Sequence, residues 1–229
     1  MPDQPAIHPT FAYAGFEFAL RGALGACAYR LAEPGEVLAT AARVRDGDFD
    51  SWFDEWTGTA EGATAVATAA AGHRTSAREA WLRASYYHAM AFFYVLGTRD
   101  PTRSLASFRA GRAAFDRAID LWPTPVARVA IPYQGTTLPG YWFSPPGTND
   151  RAPLVILNNG SDGQVVDMLR HGAIAAVERG WHALVFDGPG QCAALYEQGL
   201  PFRPDWEAVV TPVVDFALAA AASTRPGSH

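Results

Sequence analysis

The hydrophobic period of this chain changes once, near Trp122, and that change constrains the architecture more than any other feature. Before it, apolar residues recur at the spacing of amphipathic helices. After it, short apolar runs alternate with helical stretches. The first part is expected to be all helix, and the second to be a sheet with helices on its faces, an α/β arrangement.

In the first part, Phe11, Phe18, Leu20, Leu24, Cys27 and Leu31 mark a helix ending near Pro34-Gly35. Val37, Leu38 and Val44 mark a second, which Asp46-Gly47-Asp48 breaks. A third starts near Asp50, carries Trp52, Phe53 and Trp56, and runs through an alanine-rich stretch to Gly72. Ser76-Ala77-Arg78-Glu79 reads as a capping box opening a fourth helix, followed by Trp81, Leu82, Tyr86, Met90, Phe93 and Leu96. The fifth begins after Asp100-Pro101 and stops at Pro123 and Pro125, because proline lacks the helical donor.

In the second part, 126–131 and 138–143 can pair as strands around Gln134-Gly135, with Pro139 placing the second at an edge or on a bulge. Residues 145–150 read as a loop. Leu154 to Leu157 is a short apolar run of the kind buried in parallel sheets. A helix over 165–179 and a strand over 182–186 complete a βαβ unit, whose crossover makes the two strands parallel. A last helix spans about 205–222. The expected organisation is a helical domain over 1–122 and a mixed, mainly parallel sheet domain over 123–229.

Composition removes several chemistries. All 18 basic residues are arginine, so a Schiff-base lysine, a pyridoxal phosphate anchor, the P-loop lysine and a Ser-x-x-Lys pair are absent. Cys27 and Cys192 are too far apart for a Cys-x-x-Cys motif. No His/Asp/Glu cluster has metal spacing, so no metal and no cofactor are expected. A net charge of -5 gives no reason to expect nucleic acid. The N-terminus shows no signal peptide and no stretch reads as a membrane span, so the expected setting is cytoplasmic.

Two segments carry most of the functional signal. Leu157-Asn158-Asn159-Gly160-Ser161-Asp162-Gly163 follows one buried strand, and Phe186-Asp187-Gly188-Pro189-Gly190-Gln191 follows the next. Ligands of open α/β sheets bind at the carboxyl ends of strands, where both segments lie. Together with Phe53-Asp54-Glu55-Trp56, the stretch from Ser76 to Tyr87 and Leu138-Pro139-Gly140-Tyr141, their order and spacing resemble α/β-hydrolases with an N-terminal helical cap. That group includes pseudooxynicotine-type C–C hydrolases and related esterase or peptidase-like proteins. The resemblance covers nearly the whole chain.

The resemblance implies that the backbone amides of Gly160 and Ser161 form an oxyanion hole, since acyl transfer places negative charge on an oxygen that fixed N–H donors stabilise. The plainer reading of Asn159-Gly160 is a strand-exit turn. Asn159, Asp162, Tyr86 and Phe93 are candidate substrate-pocket residues, although an aromatic stripe at helical spacing also suits a core. Asp187 suits a turn aspartate bonding nearby amides better than a catalytic acid.

The family's Gly-x-Ser-x-Gly elbow and the acid and histidine after it find no counterpart here; the sequence runs from Ser223 to His229 without them. Ser161 could serve only with Asp187 and His182 or His171, and Asn159 replaces the glycine that a tight elbow needs. The expectation is a truncated, inactive member of a family that hydrolyses ester, amide or C–C bonds of small, partly apolar carbonyl compounds. The alternative is a non-catalytic binding or self-associating protein, such as a homodimer, using the exposed half-sheet.

Overall fold

A computed structural model of the chain describes residues 9–147 and 152–223. The rest of the expected 145–150 loop, and the tail from 224 onward, lie outside the described residues. The chain divides into two compact units between Phe115 and Asp116. That division falls within a helix whose end at Asp120 lies just before the change in period at Trp122.

The first unit contains α1 (Ala14–Ala26), α2 (Pro34–Ala41), α3 (Phe49–Ala69), α4 (Arg74–Phe92) and most of α5 (Ser104–Asp120). Both expected breaks lie between helices, and each also opens the next one. Pro34 occupies the first turn of α2, where its missing N–H costs nothing, and the Glu33 side chain accepts from Glu36 N at 2.9 Å. Asp48 caps α3 by accepting from Ser51 N at 3.0 Å. The expected capping box at Ser76 does not form. The helix starts earlier, with Ala77 N bonding to His73 O at 2.9 Å, and the Glu79 carboxylate is held by Arg30 at 2.6 Å. α4 ends at Phe92 rather than reaching Leu96; a separate 3-10 turn follows at Val95–Gly97.

α3 and α4 pack along much of their length. Alanines such as Ala60, Ala63, Ala77, Ala80 and Ala84 are buried, and small side chains let helices approach closely. Aromatic rings fill the wider space: Trp52 stacks against Phe16 with centroids 4.4 Å apart, and its indole N–H donates to Met90 O at 2.7 Å. Tyr87 donates to Glu36 at 2.6 Å and accepts from Glu33 N at 2.9 Å, tying α4 to the start of α2. Burial and the Glu36 carboxylate raise its phenol well above the usual range.

The second unit contains β1 (Val126–Tyr133), β2 (Thr136–Phe143), β3 (Leu154–Asn158) and β4 (His182–Phe186), in the order β1-β2-β4-β3. The sheet is mixed, as expected. Among the described strands the parallel pairing is confined to β3 and β4, while β1–β2 and β2–β4 are antiparallel, so it is not mainly parallel. The hairpin sits beside β4 and thereby adds two antiparallel pairings.

Pro139 is not at a sheet edge, because β2 lies between β1 and β4. Its carbonyl accepts from Asp187 N at 3.0 Å, just past the last residue of β4. A residue's nitrogen and carbonyl face the same side of a strand, so the missing donor points where the ladder has already ended. The crossover between β3 and β4 also departs from a single α-helix. It comprises α6 (Val165–Met168), a π-helical turn at Leu169–Ala173 and α7 (Ile174–Glu178), with Gly172 leaving the helical region.

α8 (Cys192–Tyr196) and α9 (Glu207–Ser223) follow β4. Val209, Val213 and Ala217 of α9 pack with Ile131, Leu138, Leu184 and Phe186 on one sheet face. At the amino end of β4, His182 Nδ1 accepts from Trp142 Nε1 at 3.1 Å, with Ser144 Oγ 3.2 Å away. Among the described residues no helix is long and apolar enough to cross a membrane.

His88 yields a pH prediction. It is 7% exposed, Nδ1 has no partner among the described residues, and burial lowers its pKa from 6.5 to about 4. Above pH 6.5 both folded and unfolded forms keep this imidazole neutral. Between pH 6.5 and 4 the unfolded chain gains a proton that the folded chain refuses, so stability falls with pH by up to about 3 kcal/mol. Urea midpoints should drop over this window, and His88→Met should flatten the drop; an equal slope in both proteins contradicts the assignment.

Candidate functional site

The parallel register pairs Asn158 with Phe186, so the two expected turns leave the sheet side by side at its carboxyl end. Asn159 and Asp187 are the first residues beyond the strands, and Asn159 Nδ2 donates to Asp187 Oδ1 at 2.7 Å. The other carboxylate oxygen accepts from Ala193 N at 3.4 Å. Asp187 is fully buried and holds neighbouring amides, which fits the turn role expected for it.

Gln191 joins the turns at a second point. Its Oε1 accepts from Gly188 N at 2.7 Å and from Asn158 Nδ2 at 2.9 Å, while its Nε2 donates to the Asn159 carbonyl. Cys192 Sγ donates to Gly163 O at 3.0 Å. Three elements thus converge: the β3 exit, the β4 exit and the start of α8. Buried polar groups require such partners, since an unmade bond costs about 1–3 kcal/mol. One atom in the cluster, Asn159 Oδ1, is buried with no partner among the described residues.

The glycines of the second turn are required by packing. A Cβ on Gly188 would sit 2.7 Å from the Trp206 ring. Gly190 has φ +81°, and a Cβ there would lie 2.5 Å from Phe202 Cβ. Its N–H donates to Leu200 O at 2.8 Å, which brings the segment before α9 over the turn.

Gly160, Ser161 and Asp162 form the exposed part of the first turn. Among the described residues no protein acceptor takes the amide of Gly160 or Ser161. Residue 163 is also glycine, and a Cβ there would lie 3.6 Å from Gly160 N. Ser161 makes no hydrogen bond to a histidine or carboxylate among the described residues. His182 begins β4 at its opposite end, engaged by Trp142, and His171 lies in the π turn of the crossover. Neither is hydrogen-bonded to Ser161.

Tyr86 and Phe93 belong to the helical unit, whereas Asn159 and Asp162 belong to the sheet unit. Tyr86 is buried, with its ring 6.4 Å from that of Tyr87; Phe93 packs edge-on to Tyr94 at 4.9 Å. Sequence reading missed Asn158 and Gln191 as members of the cluster. The signals were their places in the two singled-out segments, Asn158 just before Asn159 and Gln191 at the end of the Asp-Gly-Pro-Gly-Gln turn. No group of three His, Cys, Asp or Glu residues suited to a metal ion occurs among the described residues.

The chain is similar to several fungal hydrolases. It is 37% identical over 218 residues to the hydrolase LUC6 of Fusarium sp, covering 93% of this chain and 52% of that protein. It is 37% identical over 219 residues to the 20-hydroxy-prefusarin hydrolase FUS2 of Gibberella moniliformis (92% and 52%), and 33% over 220 to the alpha/beta hydrolase psoB of Aspergillus fumigatus (91% and 49%). Among solved structures, 2,6-dihydroxy-pseudo-oxynicotine hydrolase matches at TM-score 0.69 and 21% identity, over 84% of this chain and 52% of that one. This second likeness shows the fold alone. No family model matches. The chain spans about half the length of the curated relatives it matches. Over that shared stretch it belongs to the α/β-hydrolase family.

The crowding at Gly190 gives a direct check. Gly190→Ala combines a left-handed backbone with a clash against Phe202, and should lower unfolding free energy by about 1–3 kcal/mol. Hydrogen exchange should quicken between Asp187 and Phe202. A variant as stable as the parent contradicts the packing described.

Proposed function

We propose that the sheet unit carries the oxyanion-binding half of a hydrolase site, with the amides of Gly160 and Ser161 as its donors. The observation that carries this reading is their position: exposed, without a protein acceptor among the described residues, at the same sheet end as the Asp187 turn. Fixed N–H donors at such a place stabilise negative charge that develops on a carbonyl oxygen during attack. The substrate is a small, partly apolar carbonyl compound, cleaved at an ester, amide or C–C bond, in a cytoplasmic setting. Asn159 and Asp162 flank the donors; Tyr86, expected at the substrate, is instead buried within the helical unit.

In this reading the described residues supply the oxyanion donors and the attacking group comes from elsewhere in polypeptide of the family. The 229-residue chain alone is inactive. It should neither hydrolyse p-nitrophenyl esters above background nor react with a fluorophosphonate; labelling of Ser161 would contradict this. The donors are tested separately. Acetate, a small oxyanion mimic, should move the amide proton resonances of Gly160 and Ser161 downfield, and silence at both contradicts the reading.

One observation favours self-association as a second reading. Leu154, Val155, Ile156 and Leu157 are apolar on both faces, the pattern of a central strand, yet β3 has β4 as its one sheet neighbour among the described residues. It carries no charge or proline to blunt its open edge. A homodimer paired through β3 predicts a doubled mass by light scattering and slow amide exchange over 154–158. A monomer with fast exchange there contradicts it.

A further inference from the structure

We propose that Gln191 is a positioning residue that aims the Gly160 amide outward, an inference that rests on the oxyanion reading. Gln191 touches Gly160 only through the peptide before it. Its Nε2 donates to the Asn159 carbonyl, which belongs to the peptide unit whose other end is the Gly160 N–H. That unit is planar and trans, so its C=O and N–H point in opposite directions. Drawing the carbonyl inward to Gln191 therefore turns the N–H away from the buried cluster, toward the exposed face of the turn.

The lock is needed because of the residue it controls. Glycine lacks a Cβ, so the peptide before it can rotate at little steric cost, and either orientation is open to the isolated turn. A rotated peptide would replace the donor with a carbonyl oxygen, which repels an oxyanion. The Asn159 side chain is held at the same time by Asp187, so the residue is fixed on both its side chain and its main chain.

Glutamine suits this task because its amide has two unlike ends. Oε1 accepts from two donors, Gly188 N and Asn158 Nδ2, while Nε2 faces a carbonyl. Turning the amide over would set an NH2 group against two donors and an oxygen against a carbonyl, so the orientation is determined by its partners. Gln191 is 1% exposed, where each bond is stronger and a mismatch costs more than in water.

Gln191→Glu separates positioning from folding. The carboxylate keeps the acceptor for Gly188 N and Asn158 Nδ2 but loses the donor, and it sets a negative oxygen against the Asn159 carbonyl. In the 15N-labelled 229-residue chain, the residual dipolar coupling of the Gly160 N–H vector should change while those of β3 and β4 stay as in the parent. The acetate-induced shift of Gly160 should be lost. An unchanged Gly160 vector in the folded variant overturns the proposal. The parent provides a test that needs no variant: a through-hydrogen-bond scalar coupling between Gln191 Nε2 and the Asn159 carbonyl carbon is expected, and its absence overturns the proposal. Failure of the oxyanion reading looks different, because the parent Gly160 would then ignore acetate while the coupling between Gln191 and Asn159 persists.

Discussion

The parallel pairing of β3 with β4 is the contact on which the site depends. Its register sets Asn158 against Phe186, and the residues that follow each strand emerge together at one end of the sheet. A shift of one residue would turn the side chains of a strand to the opposite face, sending Leu154 and Ile156 away from the α9 core and Asn159 away from Asp187. Because β3 is apolar on both faces, such a shift would only exchange Leu154 and Ile156 for Val155 and Leu157; the polar bonds at the strand ends, Asn159 to Asp187 and Asn158 to Gln191, single out the observed register.

Beyond the strand ends, polar bonds take over from apolar burial. Asp187, Asn159, Asn158 and Gln191 each hold a partner on another segment, and the glycines at 188 and 190 leave room for Trp206 and Phe202 to close over them. One side of this arrangement is buried and largely satisfied, and the other presents amides to solvent. In the proposed reading this rigid support suits exposed donors, since donors that must reorganise during a reaction lose much of their effect.

Much of this was legible in the residues. The change of period separated helices from sheet, and the apolar runs 154–157 and 183–186 announced strands; β4 is buried as four apolar residues in a row suggest, whereas β3, with one sheet neighbour among the described strands, is only half-buried. The capping box at Ser76 misled, because Glu79 finds Arg30 across the helical unit, a partner 49 residues away that local pattern does not reveal. Pro139 misled for a related reason: its cost depends on where the neighbouring strand stops. The turns were found by their glycines and their position after strands. The role of Gln191 was not, since it arises from bonds to Asn158 and Asn159 more than thirty residues earlier, which only the strand register brings within reach.

The most direct measurement of the central claim is a set of nuclear Overhauser contacts in the isotopically labelled chain across β3, β4 and their turns. The account predicts the cross-strand pattern of a parallel pair with Leu157 beside Val185, and contacts from the Asn159 side-chain amide protons to the Asp187 β-protons. An antiparallel pattern, or an Asn159 amide remote from Asp187, would contradict it.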